Sequence, residues 1–271
     1  MKENIIKKKL ILRILELAKK AQEGHIPSAL SILDLVWVIY NDFLNINYIK
    51  KQLPNRDYFI LSKGHGCLAQ YVILENKKFF PKKNLDSFCN YSSNFGGHPD
   101  STKINGIECS TGSLGHGFPY AAGIAYVNKL KKIKSKVIAL IGDGECNEGS
   151  IWETCLIANH HKLNNLICIV DNNRSTDRAL VLGNLKNKFI SFGWDAVEIN
   201  GHSEKCILKA LKSKRKRPFA IIANTIKGKG IKIMENNPEW HHKSIDSVIF
   251  DKIKKEIYSW ENNSQKLQKK F

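Results

Sequence analysis

Apolar and polar positions change period repeatedly along this chain, and the changes outline its elements. Over residues 3–22, lysines alternate with isoleucines and leucines at helical spacing, and helical period returns over 29–44. Residues 57–62 form a short strand run that ends in the turn Ser62-Lys63-Gly64-His65-Gly66 and leads into a helix through Leu74. Continuous apolar runs at 137–141 and 166–170 read as buried strands, and 196–199 and 219–224 read as further strands. Helical stretches at 116–130, 147–160, 185–192 and 204–212 separate them, and a C-terminal helix is expected over 246–260. Residues 86–117 and 172–183 carry Gly, Ser, Asn and polar residues with little period and read as functional loops. Such alternation calls for an α/β fold, doubly wound, with a mostly parallel sheet and helices on both faces. There is no internal repeat or linker. The expectation is one domain over residues 1–271, with a frayed tail from about 261.

Composition excludes several classes. An apolar fraction of 42% is ordinary for a globular protein, and no uninterrupted apolar run reaches the length of a membrane span. The N-terminal segment lacks a small-residue cleavage site and reads as a helix of the mature protein, so the expected location is cytoplasmic without membrane association. Seven scattered cysteines with no CxxC pair read as reduced thiols, and Cys146 as a small filler side chain. The net charge of +18 is spread along the chain as lysine, and the single dense basic run, 212–217, precedes a strand as a solvated connection. That distribution disfavours nucleic acid and suits phosphorylated sugars or an acidic partner protein.

The chemistry concentrates at strand ends. Gly142-Asp143-Gly144-Glu145-Cys146-Asn147-Glu148-Gly149 follows one buried run, and Asp171-Asn172-Asn173 follows the next. In a parallel sheet the two ends bring Asp143 and Asn173 to one edge, where a carboxylate and an amide oxygen suit Mg²⁺ carrying phosphate oxygens. Gly142 and Gly144 let backbone approach those phosphates, and the following helix offers its N-terminus. This is the way the diphosphate of thiamine diphosphate is held. Four glycine-rich segments add histidines at loops or element ends: His25, His65, His98, and the pair His241-His242. Imidazoles there can donate to sugar hydroxyls or phosphate and exchange protons near neutral pH.

With these segments the chain resembles the thiamine-diphosphate-binding N-terminal part of transketolase over about residues 10–246, especially the transketolases built from two polypeptides. Ser110-Thr111-Gly112-Ser113-Leu114-Gly115-His116-Gly117 is similar to the family's cofactor-lining loop, with Gly112, Ser113 and Leu114 against the cofactor. Phe192-Gly193-Trp194, Asn200-Gly201-His202 and Thr225-Ile226-Lys227-Gly228-Lys229-Gly230 are also family segments. The resemblance implies that Asp143, Asn173 and the Ser175 carbonyl ligate Mg²⁺, or Ca²⁺ or Mn²⁺ in its place. It places His65, Gly112 and His241 on the cofactor, with Gly142, Gly144 and Glu148 near the diphosphate or the subunit contact. It also places His25 and His98 on the donor ketose, and His241 rather than His242 at the family's His-Gly pair.

By the same resemblance, His25, His65, His98 and His241 are catalytic. They serve a two-carbon ketol transfer from a ketose (phosphate) to an aldose, in a homodimer of this chain within a heterotetramer. The glutamate that activates the cofactor's pyrimidine ring has no counterpart here and is expected on a C-terminal, pyrimidine-domain partner subunit. Two departures stand out: His116 replaces a glutamine common in single-chain members, and Arg174-Ser175-Thr176 replaces an expected Asp-Gly after Asn173. Alternatives are another thiamine enzyme, of the deoxyxylulose-phosphate-synthase kind or in a specialised sugar pathway, and a non-catalytic interaction protein on the same fold.

Overall fold

In the computed structural model, residues 2–268 are described, with side chains from 5 to 260. Five parallel strands form one sheet in the order β1-β2-β3-β5-β4: β1 Tyr58–Leu61, β2 Val137–Gly142, β3 Leu166–Asn172, β4 Asp195–Asn200 and β5 Phe219–Asn224. Alternate residues of each strand point to opposite faces and seed two cores. Phe59, Leu61, Ile138, Leu140, Ile167, Ile169 and Ile221 pack into the first. Ile60, Val137, Ala139, Ile141, Leu166, Cys168 and Val170 pack into the second. Because β2 and β3 are covered on both sides, every residue of Val137–Gly142 is buried, and so are the first six of Leu166–Asn172. That accounts for their uninterrupted apolar sequence.

The connections place the helices. α6 (Gly117–Leu130), α7 (Gly149–His160) and α8 (Leu185–Ser191) lie on the second face. The step from β4 back to β5 runs in the opposite direction along the sheet, so a right-handed crossover puts α9 (Glu204–Leu211) on the first face. α1 (Lys2–Ala21), α2 (Ile26–Val38), α4 (Cys67–Asn76) and α10 (Ser247–Gln268) complete that layer. The chain therefore leaves β3 and β5 towards opposite faces, which opens a crevice at their carboxyl ends.

The doubly wound parallel sheet agrees with the sequence expectation, and the differences are local. The helix expected to run to Leu44 changes at Ile39 into a π-turn, Ile39–Phe43, closed by Leu44 N–H donating to the Ile39 carbonyl at 2.9 Å. Short helices α3 (Ile46–Lys50) and α5 (Lys82–Leu85) occupy segments with no helical period. The helix expected from 147 begins at Gly149, after a 3₁₀ turn at Gly144–Asn147. The expected fraying from about 261 falls on positions whose side chains, and from 269 whose backbone, lie outside the described residues. Ile26–Phe43 has a mean hydropathy of 1.2 over 18 residues, long and apolar enough to cross a membrane, but 83% of it is buried as the central helix of the first core.

Candidate active site

At the carboxyl edge of the sheet lies a cavity of about 290 Å³. It collects residues from eight separate segments: His25 and Ser28, Lys63 and His65, His98, Gly112 and Leu114, Gly142 to Glu145, Asn173 with Ser175, Lys227, and His241. All four predicted histidines and the Asp143–Asn173–Ser175 set thus share one space. Ser113 and Glu148 do not line it: both are exposed, and Glu148 packs instead beside Gly115, whose φ is +79°.

Asp143 sits one residue beyond β2, and its backbone N–H donates to the Asp171 carbonyl at 3.2 Å. One carboxylate oxygen accepts the Gly144 N–H at 2.8 Å, while Oδ2 is buried with no hydrogen-bond partner among the described residues. Burial, and then the nearby Asp171, raise the Asp143 pKa. A buried carboxylate oxygen that faces a cavity without a protein donor is suited to ligate a cation. Asn173 has its Oδ1 on the Ser175 N–H at 3.0 Å, which leaves that oxygen a second lone pair. Arg174 between them takes a left-handed φ of +59°, so a non-glycine residue makes the turn in the segment that departs from the family pattern. Gly144 has open space where a Cβ would stand, so phosphate can approach its backbone. The donor set and the space fit a diphosphate and its Mg²⁺.

The helix N-terminus expected at the phosphates is displaced by the 3₁₀ turn, and Glu145 explains it. Its carboxylate turns inward and accepts from Ser62 Oγ (2.6 Å), Gly115 N–H (3.0 Å) and Gly142 N–H (2.9 Å), which tightens the chain after β2. Burial raises its pKa against those three donors. One side chain therefore ties the end of β1, the 110–117 loop and the Gly-Asp-Gly turn together. Glycine permits the close approach at Gly117, where a Cβ would lie 2.7 Å from Ser62 Cα.

Lys63 is 2% exposed, and its ammonium lies 2.5 Å from Asp171 Oδ2. Asp171 also accepts from Ser31 Oγ at 2.7 Å, from Asn173 Nδ2 at 3.0 Å, and from Thr225 Oγ1. Burial alone would raise the Asp171 pKa, but Lys63 and these donors outweigh it and hold it down. Lys227 is depressed to about 8 by burial and then by Lys63, and its ammonium donates to His241 Nδ1 at 2.9 Å. Nδ1 being the acceptor, the His241 proton resides on Nε2.

His65 is pushed down to about 2 by burial and then by Lys63. His25 and His241 are also lowered, first by burial, so the three imidazoles are neutral bases at neutral pH. The His25 ring lies 5.4 Å from that of His65 and 6.1 Å from that of His241. His98 packs on Gly112, where a Cβ would come within 3.3 Å of its ring. Cys146, expected to be filler, is buried in the second core with its thiol pKa raised well above the ordinary value by burial.

Glu145, Lys63, Asp171 and Lys227 carry roles that sequence reasoning missed. Lys63 and Lys227 stand inside glycine-rich segments, so their signal is an ionisable residue next to a glycine at a strand end. Asp171 reads from sequence as the polar end of a strand run, and Glu145 as one more residue of the Gly-Asp-Gly segment. A larger cleft of about 540 Å³ adjoins the cavity between the ends of β3 and β5, and shares Asn173, Ser175, Lys227 and His241 with it.

A doubly wound parallel sheet whose carboxyl edge gathers a buried carboxylate, a neighbouring amide and four histidines has the frame of a diphosphate-cofactor-binding enzyme chain. Residues 2–269 match the transketolase family's thiamine diphosphate binding domain, and the chain belongs to that family as an N-terminal, thiamine-diphosphate-binding transketolase component. It is 37% identical over 238 residues to an apulose-4-phosphate transketolase subunit of Phocaeicola vulgatus, covering 85% of this chain and 84% of that one. It is 33% identical over 244 residues to a 6-deoxy-6-sulfo-D-fructose transketolase subunit of a Clostridium species, covering 87% and 89%. The crystal structure of Campylobacter jejuni transketolase superposes with a TM-score of 0.84 at 28% identity, covering 95% of this chain and 43% of that one. The chain thus spans less than half of that longer transketolase and most of the subunit-type relatives.

Proposed function

We propose that this chain is the diphosphate-binding half of a two-component transketolase that moves a two-carbon ketol unit from a ketose phosphate to an aldose. The observation that carries the reading is the buried, unpartnered Asp143 Oδ2 in a cavity ringed by His25, His65, His98 and His241. Asp143, Asn173 and the Ser175 carbonyl would hold Mg²⁺, with Gly144 backbone and Lys227 beside the diphosphate. Lys227, cationic below about pH 8, adds charge of the sign the phosphates require.

Bound thiamine diphosphate supplies the carbon nucleophile and electron sink. The side chains of this chain orient and manage protons. His65 and His241, neutral by burial, contact the cofactor end of the cavity, and His241 Nε2–H is a donor because Lys227 occupies Nδ1. His25 and His98 face the substrate, and His25 is oriented through Nδ1 by Glu23 at 3.0 Å. With Glu23 accepting at Nδ1, Nε2 of His25 is left as a base for a substrate hydroxyl proton.

Relatives of matching length are themselves named as transketolase subunits, which supports a separate partner chain; we assign the pyrimidine-binding domain to that partner, in an assembly with two-fold symmetry. Each active site would then need both kinds of chain, in a heterotetramer with a homodimer of this one. Calorimetric titration with thiamine diphosphate, with and without Mg²⁺ and the partner chain, tests the reading. Mg²⁺-dependent binding is expected, with transfer activity on adding the partner. No binding under any condition would sink it.

A further inference from the structure

Beside the cavity, and outside the Mg²⁺ set, a second group of ligands converges. Glu23 Oε1 lies 3.0 Å from His25 Nδ1 and 3.3 Å from His242 Nε2. The His25 and His242 rings stand 4.5 Å apart at 69°, and one donor atom from each of the three residues falls within 4.8 Å of the others. Metal–ligand bonds of about 2.0–2.2 Å put neighbouring ligand atoms roughly 2.8–3.1 Å apart in octahedral and roughly 3.3–3.6 Å apart in tetrahedral coordination. The two separations from Glu23, 3.0 and 3.3 Å, lie within these spacings.

Two backbone segments distant in the chain hold the group together. A Cβ on Gly24 would lie 2.6 Å from the His242 carbonyl carbon and 2.8 Å from Lys243 N, so the 23–25 turn and the 241–243 segment are in direct contact. Glu23 is fixed by the Gly24 N–H at 2.9 Å, and its Oε2 abuts Gly97. His242 is 60% exposed in its side chain, so the group is open to solvent and leaves coordination positions for water or ligand. Two imidazoles and one carboxylate with open positions suit borderline cations. The all-oxygen Asp143 set suits Mg²⁺.

We propose that Glu23, His25 and His242 bind a late first-row divalent cation of the Zn²⁺ type at the mouth of the cavity, separate from the Mg²⁺ site. Coordination at His25 Nδ1 requires the tautomer whose single ring proton is on Nε2, so the proton shared with Glu23 moves from Nδ1 to Nε2. The ring nitrogen left towards substrate then changes from acceptor to donor, so the cation acts as an inhibitor; this consequence rests on the substrate-facing reading of His25, whereas binding itself does not.

Titration of the full chain with Co²⁺ in excess Mg²⁺, followed by visible absorption, tests the site. One equivalent is expected to give the intense bands of nitrogen-ligated, low-coordinate cobalt, which Zn²⁺ then bleaches. His242→Ala, at an exposed position whose fold is checked by thermal melting, and Glu23→Gln are each expected to weaken binding roughly tenfold or more. Asp143→Ala is expected to keep the bands. Absent bands, bands unchanged in His242→Ala, or bands lost in Asp143→Ala would overturn the proposal, whether or not the chain proves to be a ketol transferase.

Discussion

Asp143 and His98 divide the labour of the cavity, and single substitutions separate them. Asp143→Ala removes the charged oxygen that burial leaves without a partner, and is expected to weaken Mg²⁺-dependent thiamine diphosphate binding by about 2–3 kcal/mol, roughly 30- to 160-fold. His98→Ala is expected to lower turnover with the partner chain while affinity for the cofactor survives. Calorimetry on both variants against steady-state assays checks the split, and equal loss of affinity would count against it. His65 adds a stability signature. Its folded pKa lies near 2, whereas the unfolded imidazole takes a proton near 6.5, so protons favour the unfolded chain below that pH. The contribution is fully present above about pH 6.5 and declines as pH falls towards 2, by at most about 1.4 kcal/mol per pH unit. Denaturant melts at pH 5 and pH 7 should show a smaller difference in His65→Gln than in the parent chain.

At the scale of elements, the turn after β2 depends on one carboxylate. Glu145→Ala would strand the Ser62 hydroxyl and the N–H groups of Gly115 and Gly142, at a cost of roughly 3 kcal/mol, seen as a Tm lower by several degrees. Cofactor affinity should fall with it, because Gly142 and Leu114 line the same cavity; an unchanged melt would refute the role. β2 and β3 are the most legible strands in the sequence, since residues buried on both faces must be apolar at every position. β5 matches its expected span, and β2 extends by one residue. The 3₁₀ turn and the π-turn are not legible. Each arises from long-range packing that overrides local helical period: Glu145 against two loops, and Ile39 with Tyr40 held in the first core.

For the whole molecule, the second face carries a surface that a lone chain leaves wet. Tyr120, Val127 and Leu130 of α6 and Leu156 and Ile157 of α7 are exposed, on two helices that pack together, and Glu148 stands exposed at the start of α7. Exposed apolar groups on two neighbouring helices suit the self-association proposed above. We expect the double substitution Leu156→Asp with Ile157→Asp to reduce self-association in light scattering while the thermal melt stays within about 1 kcal/mol of the parent. A parent chain that is monomeric alone and in the presence of its partner would refute that use of the surface. The charge of +18, by contrast, is dispersed lysine and marks no single docking face.

The sequence alone determined the strand and helix periods and the chemical inventory, Gly-Asp-Gly, the Asp171–Asn173 end and the histidines, because these depend on neighbours a few residues apart. The parallel sheet followed from the same alternation, since strands joined by helices have no other economical pairing. Only the tertiary structure decided which charges meet. Lys63 reaches Asp171 across 108 residues and Ser62 reaches Glu145 across 83. Glu23 faces His242 only because Gly24 lets two loops touch. Such contacts depend on strand order and on which face each crossover takes, and no local pattern encodes a partner that distant.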